Sequence, residues 1–225
     1  MKIGVSIIFY DDLNSLKRCI PTLQADTIYA IDGRFKGFNS PNPLSSDGSR
    51  EFLKSCNNVE LIDAPDLSEV DKRNIPLKAC KEDFLFIVDS DHWIEGDWKE
   101  FRKEIDEKVN EKNGYGYWFL TEDLSRKIIH YQCLGFYKPN QVSYRYRHDW
   151  YEAEGERILP KSHNGRYTEL LSLKVYNDYS LRPSQRIQLG QSWYEQSRIK
   201  ELKITETYDK KHRLTEKLKR LLSHL

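Results

Sequence analysis

The stretch Phe84–Ile94, FLFIVDSDHWI, decides how the rest of the chain reads. Five apolar residues, Phe84 to Val88, run without a break, and two aspartates one residue apart, Asp89 and Asp91, follow them. A short continuous apolar run marks a strand buried on both faces, as in the middle of a parallel sheet. Ligands of such sheets sit outside the carboxyl ends of the strands. Residues i and i+2 of an extended chain point to the same side, so Asp89 and Asp91 can share one small volume at the sheet's mouth. Two carboxylates there repel each other unless a cation lies between them, and hard oxygen ligands suit Mg²⁺ or Mn²⁺. The competing reading is that the aspartates only cap the next turn. Their place directly after a buried strand favours the metal.

The residues before this stretch supply the rest of a parallel sheet. Ile3–Tyr10 is apolar and β-branched and reads as a buried first strand. Asp11-Asp12 opens a segment whose Leu13, Leu16, Ile20 and Leu23 fall on one helix face, with Pro21 ending or kinking it. Thr27–Ile31 is a second strand ending at Asp32-Gly33, which completes a β-α-β unit. Arg34–Ser49 is a long loop rich in Gly, Pro, Asn and Ser, and loops of that length in compact domains are usually functional. A short helix Arg50–Ser55, capped by Ser49 or Asp47, and a third strand, Val59–Ala64, follow. Ser68 to Cys80 reads as a helix with a Ser-x-x-Asp start. Pro76 within it predicts a kink or a late true start.

Beyond Asp91 the pattern changes. Asp97–Asn110 is helical, with Phe101, Ile105 and Val109 at a spacing of four. Gly114–Leu120, His130–Tyr137, Val142–Arg147 and Leu171–Tyr176 read as strands, so this part mixes antiparallel strands with helices, and the alternation of Val142–Arg147 suits a sheet wet on one face. From Ser184 the chain turns helical. Lys210–Leu225 is a basic amphipathic segment with Leu214, Leu218, Leu221, Leu222 and Leu225 on one face, suited to an anionic membrane, a partner or its own domain.

Composition narrows the function classes. The chain has 225 residues, enough for one large domain with an appendage. Its 36 Lys and Arg are balanced by 35 Asp and Glu, which argues against nucleic acid as a partner. Cys19, Cys56, Cys80 and Cys133 show no C-x-x-C spacing and read as thiols of a reducing compartment. The N-terminus, MKIGVSIIFYDD, enters a polar segment too early for a signal peptide. No apolar run approaches the roughly 18 residues that span a bilayer. The expected location is the cytoplasm, with membrane association at its inner face if 210–225 binds lipid.

Taken in order, these features resemble a nucleotide-sugar-dependent glycosyltransferase of the GT-A fold, close to the large inverting family 2 group. The residues that carry the resemblance are VSIIFYDDLNSLKRCIPTL, IYAIDG with its later S-x-D-G-S element, a helix bearing Lys72-Arg73-Asn74, and a fourth strand ending in D-x-D. It covers about residues 1–195 and is firmest to Ile94. The fold it implies is α/β, a Rossmann-like three-layer α/β/α sandwich with a mixed central sheet and a C-terminal helical extension. Residues 1–95 would form the nucleotide-sugar-binding half, 96–183 the acceptor-side half of the same domain, and 184–225 the extension. Phe9 and Tyr10 would line the nucleoside pocket, Asp32 would bind base or ribose, and Arg73 would lie near the diphosphate or base. Asp89 would touch ribose or metal, and Asp91 would hold the Mn²⁺ or Mg²⁺ that bridges the diphosphate of a UDP- or GDP-linked sugar.

An inverting transfer also needs a base for the acceptor hydroxyl. By the same resemblance the stretch YRYRHDWYE, Tyr144–Glu152, would supply it: Asp149 as base and His148 orienting it, with Glu152 and Glu154 as rivals. An ion pair of Asp149 with Arg145 or Arg147 is the plainer alternative. Some relatives carry a late metal-binding histidine where this chain has Asn177-Asp178, and His163 is a second candidate for that role. The crowded aromatics Tyr131, Phe136, Tyr137, Tyr144, Tyr146, Trp150 and Tyr151 suit a carbohydrate acceptor, although half-buried strands explain most of them. The acceptor class is a glycan, a lipid-linked molecule or another hydroxyl compound.

Three alternatives stay beside this reading. A sugar-nucleotide pyrophosphorylase needs a Gly-rich loop after the first strand, and Tyr10-Asp11-Asp12-Leu13 is unlike one. A haloacid-dehalogenase-type phosphatase carries its D-x-D on the first strand, not the fourth. A non-catalytic module that binds sugar nucleotide or glycan fits the missing histidine but not the intact Asp89 and Asp91.

Overall fold

Strand β1 (Ile3–Phe9) is buried at every position, which is why its sequence shows no polar alternation. It lies between β2 (Thr27–Asp32) and β4 (Phe84–Asp89), parallel to both, and β3 (Val59–Asp63) adds in parallel outside β2. The structure, a computed structural model, describes residues 1–112, 114–146, 150–158 and 165–178. The chain divides into two compact units, Met1–Pro183 and Ser184–Leu225, and every described residue belongs to the first. The helical extension expected from Ser184, and with it 210–225, therefore lies outside the described residues.

The sheet continues past β4 with β5 (His92–Gly96), β6 (Gly116–Asp123), β7 (Ile128–Tyr137) and β11 (Gly165–Asn177). Its eight strands run in the order β3-β2-β1-β4-β7-β6-β11-β5. Strand β7 is antiparallel to both β4 and β6, and β5 is antiparallel to β11. A second sheet of three strands contains β8 (Val142–Tyr146), β9 (Trp150–Ala153) and β10 (Glu156–Arg157).

One face of the large sheet is covered by α1 (Leu13–Cys19), α2 (Ser49–Lys54) and α4 (Trp98–Lys112). Leu16, Cys19, Leu53, Phe101, Ile105 and Val109 join Ile3, Val5, Ile7, Phe84, Phe86 and Val88 in that core. Burying each large apolar side chain of this kind is worth about 1.5–3 kcal/mol. The other face carries α3 (Glu69–Ala79) through Leu77, together with Val142, Tyr144, Tyr151 and Ala153 of the small sheet. The result is the expected three-layer α/β, Rossmann-like architecture with a mixed central sheet, the small sheet sharing the second outer layer.

Several sequence boundaries move for identifiable reasons. Pro21 ends α1 early by opening a 3-10 turn, Ile20–Thr22. Pro76 lies inside a continuous α3, so it neither delays the helix start nor ends it. Ser68 caps α3 by accepting the Asp71 amide at 3.1 Å. Strands β5, β9 and β10 are too short and too mixed to show a period. Gly96, at φ +136, closes β5 where a Cβ would fall 2.0 Å from the Ser172 carbonyl oxygen, so only glycine fits.

Candidate active site

The strand directions bring the polar ends together. Strands β1 to β4, β6 and β11 all point their carboxyl ends to one rim, and antiparallel β5 begins there. Asp32, Asp63, Asp89, Asp91, His92, Asp123 and Asn177 therefore share that rim. In register, Phe9 pairs with Asp32, Ile8 with Asp89, and Asn177 with His92.

Asp89, Asp91 and His92 each place one ligand atom within 4.8 Å of the others. Asp91 and His92 are buried, at 3% and 2% exposed, whereas the Asp89 side chain is 40% exposed. The Asp89 amide donates to His92 Nδ1 at 3.1 Å, which puts the imidazole proton of the neutral ring on Nε2. His92 in this arrangement braces the turn, and the two carboxylates are the donors suited to a hard cation. Their convergence on one small volume fits the Mn²⁺ or Mg²⁺ expected there.

The same turn is tied to α1. Asp12 was expected only to open that helix, but it makes no side-chain cap bond. It accepts the Ser90 hydroxyl at 2.8 Å instead, with both residues buried. The Asp178 amide donates to the Asp91 carbonyl at 3.2 Å, and Arg18 pairs with Asp178 at 3.1 Å. Asn177-Asp178 thus lies beside the aspartate turn, where sequence reasoning looked for a late histidine. Burial raises the Cys19 thiol pKa, and the nearby Asp91 and Asp89 raise it further.

Arg73 reaches this rim from α3. Its Nη2 donates to Asp89 Oδ1 at 3.0 Å, its Nε to Glu69 at 3.2 Å, and its guanidinium stands 5.6 Å from the Tyr144 ring centroid. Burial works to lower its pKa, but Asp89, Tyr151 and Glu69 outweigh that and keep it a cation. The helix charge read as either solvated or functional thus stands at the same rim as Asp89.

The side of the rim where the nucleoside was expected is built by the loop after β2. Asp32 is fully buried; it accepts the Ser45 hydroxyl at 2.6 Å and Arg50 Nη1 at 2.5 Å. Arg50 also reaches Asp63 at 2.8 Å. Arg34 forks onto Asp66, and Lys72, buried beneath the loop, donates to the Gly33 carbonyl. Tyr10 is 1% exposed, with its hydroxyl on the Asn42 carbonyl at 2.6 Å and its ring edge-on to Phe38. Phe9, expected to line a pocket, is 1% exposed and packed in the α1-side core because strand alternation turns it there. It supports the strand end from beneath and presents no open surface.

On the side where an acceptor was expected, His148 and Asp149 lie outside the described residues, as do Arg147 and His163. Of the rival carboxylates, Glu152 accepts from Arg145 at 2.8 Å, and Glu154 accepts from the Tyr115 hydroxyl at 2.9 Å. Asn74 holds this hairpin to α3 by bonding both the carbonyl and the amide of Tyr144, at 2.8 and 2.9 Å.

Sequence reasoning missed His92, Arg50 and the Asp12–Ser90 bond. His92 was legible as the residue directly after D-x-D. Arg50 and Ser90 carried no local signal, because their partners are distant in sequence.

No protein-family model and no curated protein sequence matches the chain. Among solved structures, it is similar to S. aureus TarS 1-349 in complex with UDP, with TM-score 0.43 and 16% identity, covering 55% of this chain and 36% of that one. TarS 1-349 in complex with UDP-GlcNAc gives TM-score 0.41 and 17% identity over 55% and 35%. Longer TarS gives TM-score 0.42 and 16% identity over 55% and 22%. The chain thus matches about a third or less of the length of those proteins. The functional case rests on the geometry of the rim.

Proposed function

We propose that the protein is a metal-dependent, inverting glycosyltransferase that moves a sugar from a UDP- or GDP-linked donor to a hydroxyl acceptor, either a glycan or a lipid-linked molecule. The observation that carries this reading is the convergence of Asp89 and Asp91 within 4.8 Å at the end of a buried parallel strand, with the Arg73 cation 3.0 Å from Asp89. Asp89 and Asp91 would hold Mn²⁺ or Mg²⁺. When bound, the ion supplies positive charge against a diphosphate that gains negative charge as it leaves.

The chain's own groups do the rest. Arg73 offers a second, permanent cation to the diphosphate, and its bonds to Asp89 and Glu69 fix where that charge sits. Asp32 binds base or ribose by exchanging a bond now made to Ser45 or Arg50, while the 34–48 loop forms the pocket wall; Tyr10, expected to line it, is as buried as Phe9 and braces that loop from beneath. Asp149, oriented by His148, takes the proton of the acceptor hydroxyl.

The test is a thermal-shift panel of UDP, GDP, CDP and their sugars, with and without Mn²⁺. A metal-dependent rise with one nucleotide names the donor class; no rise with any of them overturns the reading. Asp149→Asn is expected to lower kcat at least about a hundredfold, the usual scale of a general base, with donor affinity within about twofold. Unchanged kcat passes the base role to Glu152 or Glu154. Donor binding with no transfer or hydrolysis in the unmodified protein favours the non-catalytic binding module.

A further inference from the structure

Among the described residues, every exposed large apolar side chain lies in one hairpin. Leu124 is 40% exposed, Ile128 45%, Ile129 62% and Tyr131 38%, and all belong to the turn between β6 and β7 or to the first residues of β7. Strand β4 pairs with β7 only over Phe84–Phe86, opposite Tyr137–Gly135, so Ile128–Tyr131 lie beyond that pairing. Strand β6 runs parallel to β4 through two antiparallel steps, so the hairpin tip stands at the rim that holds Asp89 and Asp91.

The character of the tip selects its occupant. Ile128 and Ile129 are adjacent and point to opposite faces of the strand, yet both are exposed. A flat protein interface would cover one face, whereas a fluid apolar medium can take both. Between Leu124 and Ile128 stand Ser125, Arg126 and Lys127, with no exposed acid from 124 to 129. The Arg126 side chain pairs with Asp123 at 3.6 Å yet is 66% exposed, and Lys127 is exposed. The only carboxylate at the turn, Asp123, is 2% exposed and accepts the Arg126 amide at 2.9 Å, which fixes the turn's shape. Exposed aliphatic residues interleaved with cations match a membrane interface: acyl chains for the first, anionic headgroups for the second.

We propose that the β6–β7 hairpin tip, Leu124–Ile129, is a membrane-contact element that inserts into an anionic lipid surface and holds the rim toward it. Membrane contact by this tip does not depend on the donor chemistry.

The test is co-sedimentation of the full chain with phosphatidylcholine vesicles, and with vesicles containing about a third phosphatidylglycerol. Binding to the anionic vesicles only, weakened by salt, is expected. Ile129→Asp should weaken that binding about tenfold or more, since it removes a buried aliphatic group and adds a repelled charge. Lys127→Gly should weaken it about fivefold, the scale of one interfacial cation. Lys127 has φ +56, so glycine keeps the turn. Ile129→Trp should bind at least as well as the unmodified chain. Circular dichroism and Tm of each variant monitor the fold. Failure of the unmodified chain to bind anionic vesicles overturns the proposal. So does an Ile129→Asp chain that binds equally well, which would move the contact to another segment such as 210–225. Concentration-dependent self-association that Ile129→Asp abolishes, without vesicle binding, would make the tip an interface between copies and also overturn it.

Discussion

Asp91 and Glu82 show how single side chains carry function and stability here. Asp91 is buried at the rim, and its carboxylate oxygen lies within 4.8 Å of the Asp89 and His92 ligand atoms. Asp91→Asn keeps the side chain's size and removes its charge. It is expected to abolish the Mn²⁺-dependent part of the nucleotide thermal shift, worth about 2.7 kcal/mol at a hundredfold excess over Kd, and to leave the metal-free Tm within a few degrees. A variant that keeps the full Mn²⁺ effect would remove Asp91 from the metal site. Glu82 acts at the opposite end of the sheet. Burial works to raise its pKa, but bonds from Thr27, Tyr29 and Cys80 outweigh it and hold the carboxyl below its ordinary value. A carboxylate depressed on folding stabilises above its unfolded pKa, about 4.3, and that contribution is lost as pH falls through the lower folded value. Glu82→Gln is therefore expected to lower stability at pH 7 and to flatten its fall as pH drops below about 5. Urea midpoints across that range check it, and parallel curves for the two proteins would contradict it.

The elements depend on a few long-range ties. Strand β8 is an edge strand of the small sheet, and its Tyr144 backbone is satisfied by the Asn74 side chain of α3. Asn74 acts there as a piece of neighbouring strand. Asn74→Ala would leave the Tyr144 amide and carbonyl without those bonds and is expected to cost about 1–3 kcal/mol, the scale of an unsatisfied buried donor. Urea denaturation measures the loss, and limited proteolysis should find new cleavage in 142–153 before global unfolding. Unchanged cleavage would mean that Val142, Tyr144 and Tyr151 in the core hold the hairpin unaided. The same tie matters for the proposed chemistry, because α3 also carries Arg73. One helix thus sets the spacing between Arg73 at the rim and the hairpin that contains Tyr144.

Across the molecule, burial divides the four cysteines. Cys19, Cys80 and Cys133 are buried and Cys56 is partly exposed, and all are free thiols. Burial pushes Cys80 up to about 12, with a bond and charge from Glu82 adding to it, and Cys19 is raised by burial and by Asp91 and Asp89. A thiol reagent at pH 8 is therefore expected to modify Cys56 alone in the native protein and the other three only on denaturation. Native labelling of Cys19 would show that α1 does not seal the aspartate turn. Much of this architecture was legible in the residues. The unbroken run Phe84–Val88 announced a strand covered on both faces, and the four-residue spacing of Phe101, Ile105 and Val109 announced the helix face that covers it. Apolar periodicity is a local property and records which side of each element avoids water. The D-x-D pair was readable for the same reason, since i and i+2 share a side of an extended chain. Only the fold decided that Asp32 answers to Arg50 and Ser45, that Asp12 holds Ser90, that Phe9 turns to the core, and that β5 and β11 close the sheet beside Asp91. Those outcomes join residues separated by up to about 90 positions, and a pairing across such a distance is set by how layers stack, which no stretch of the chain encodes alone.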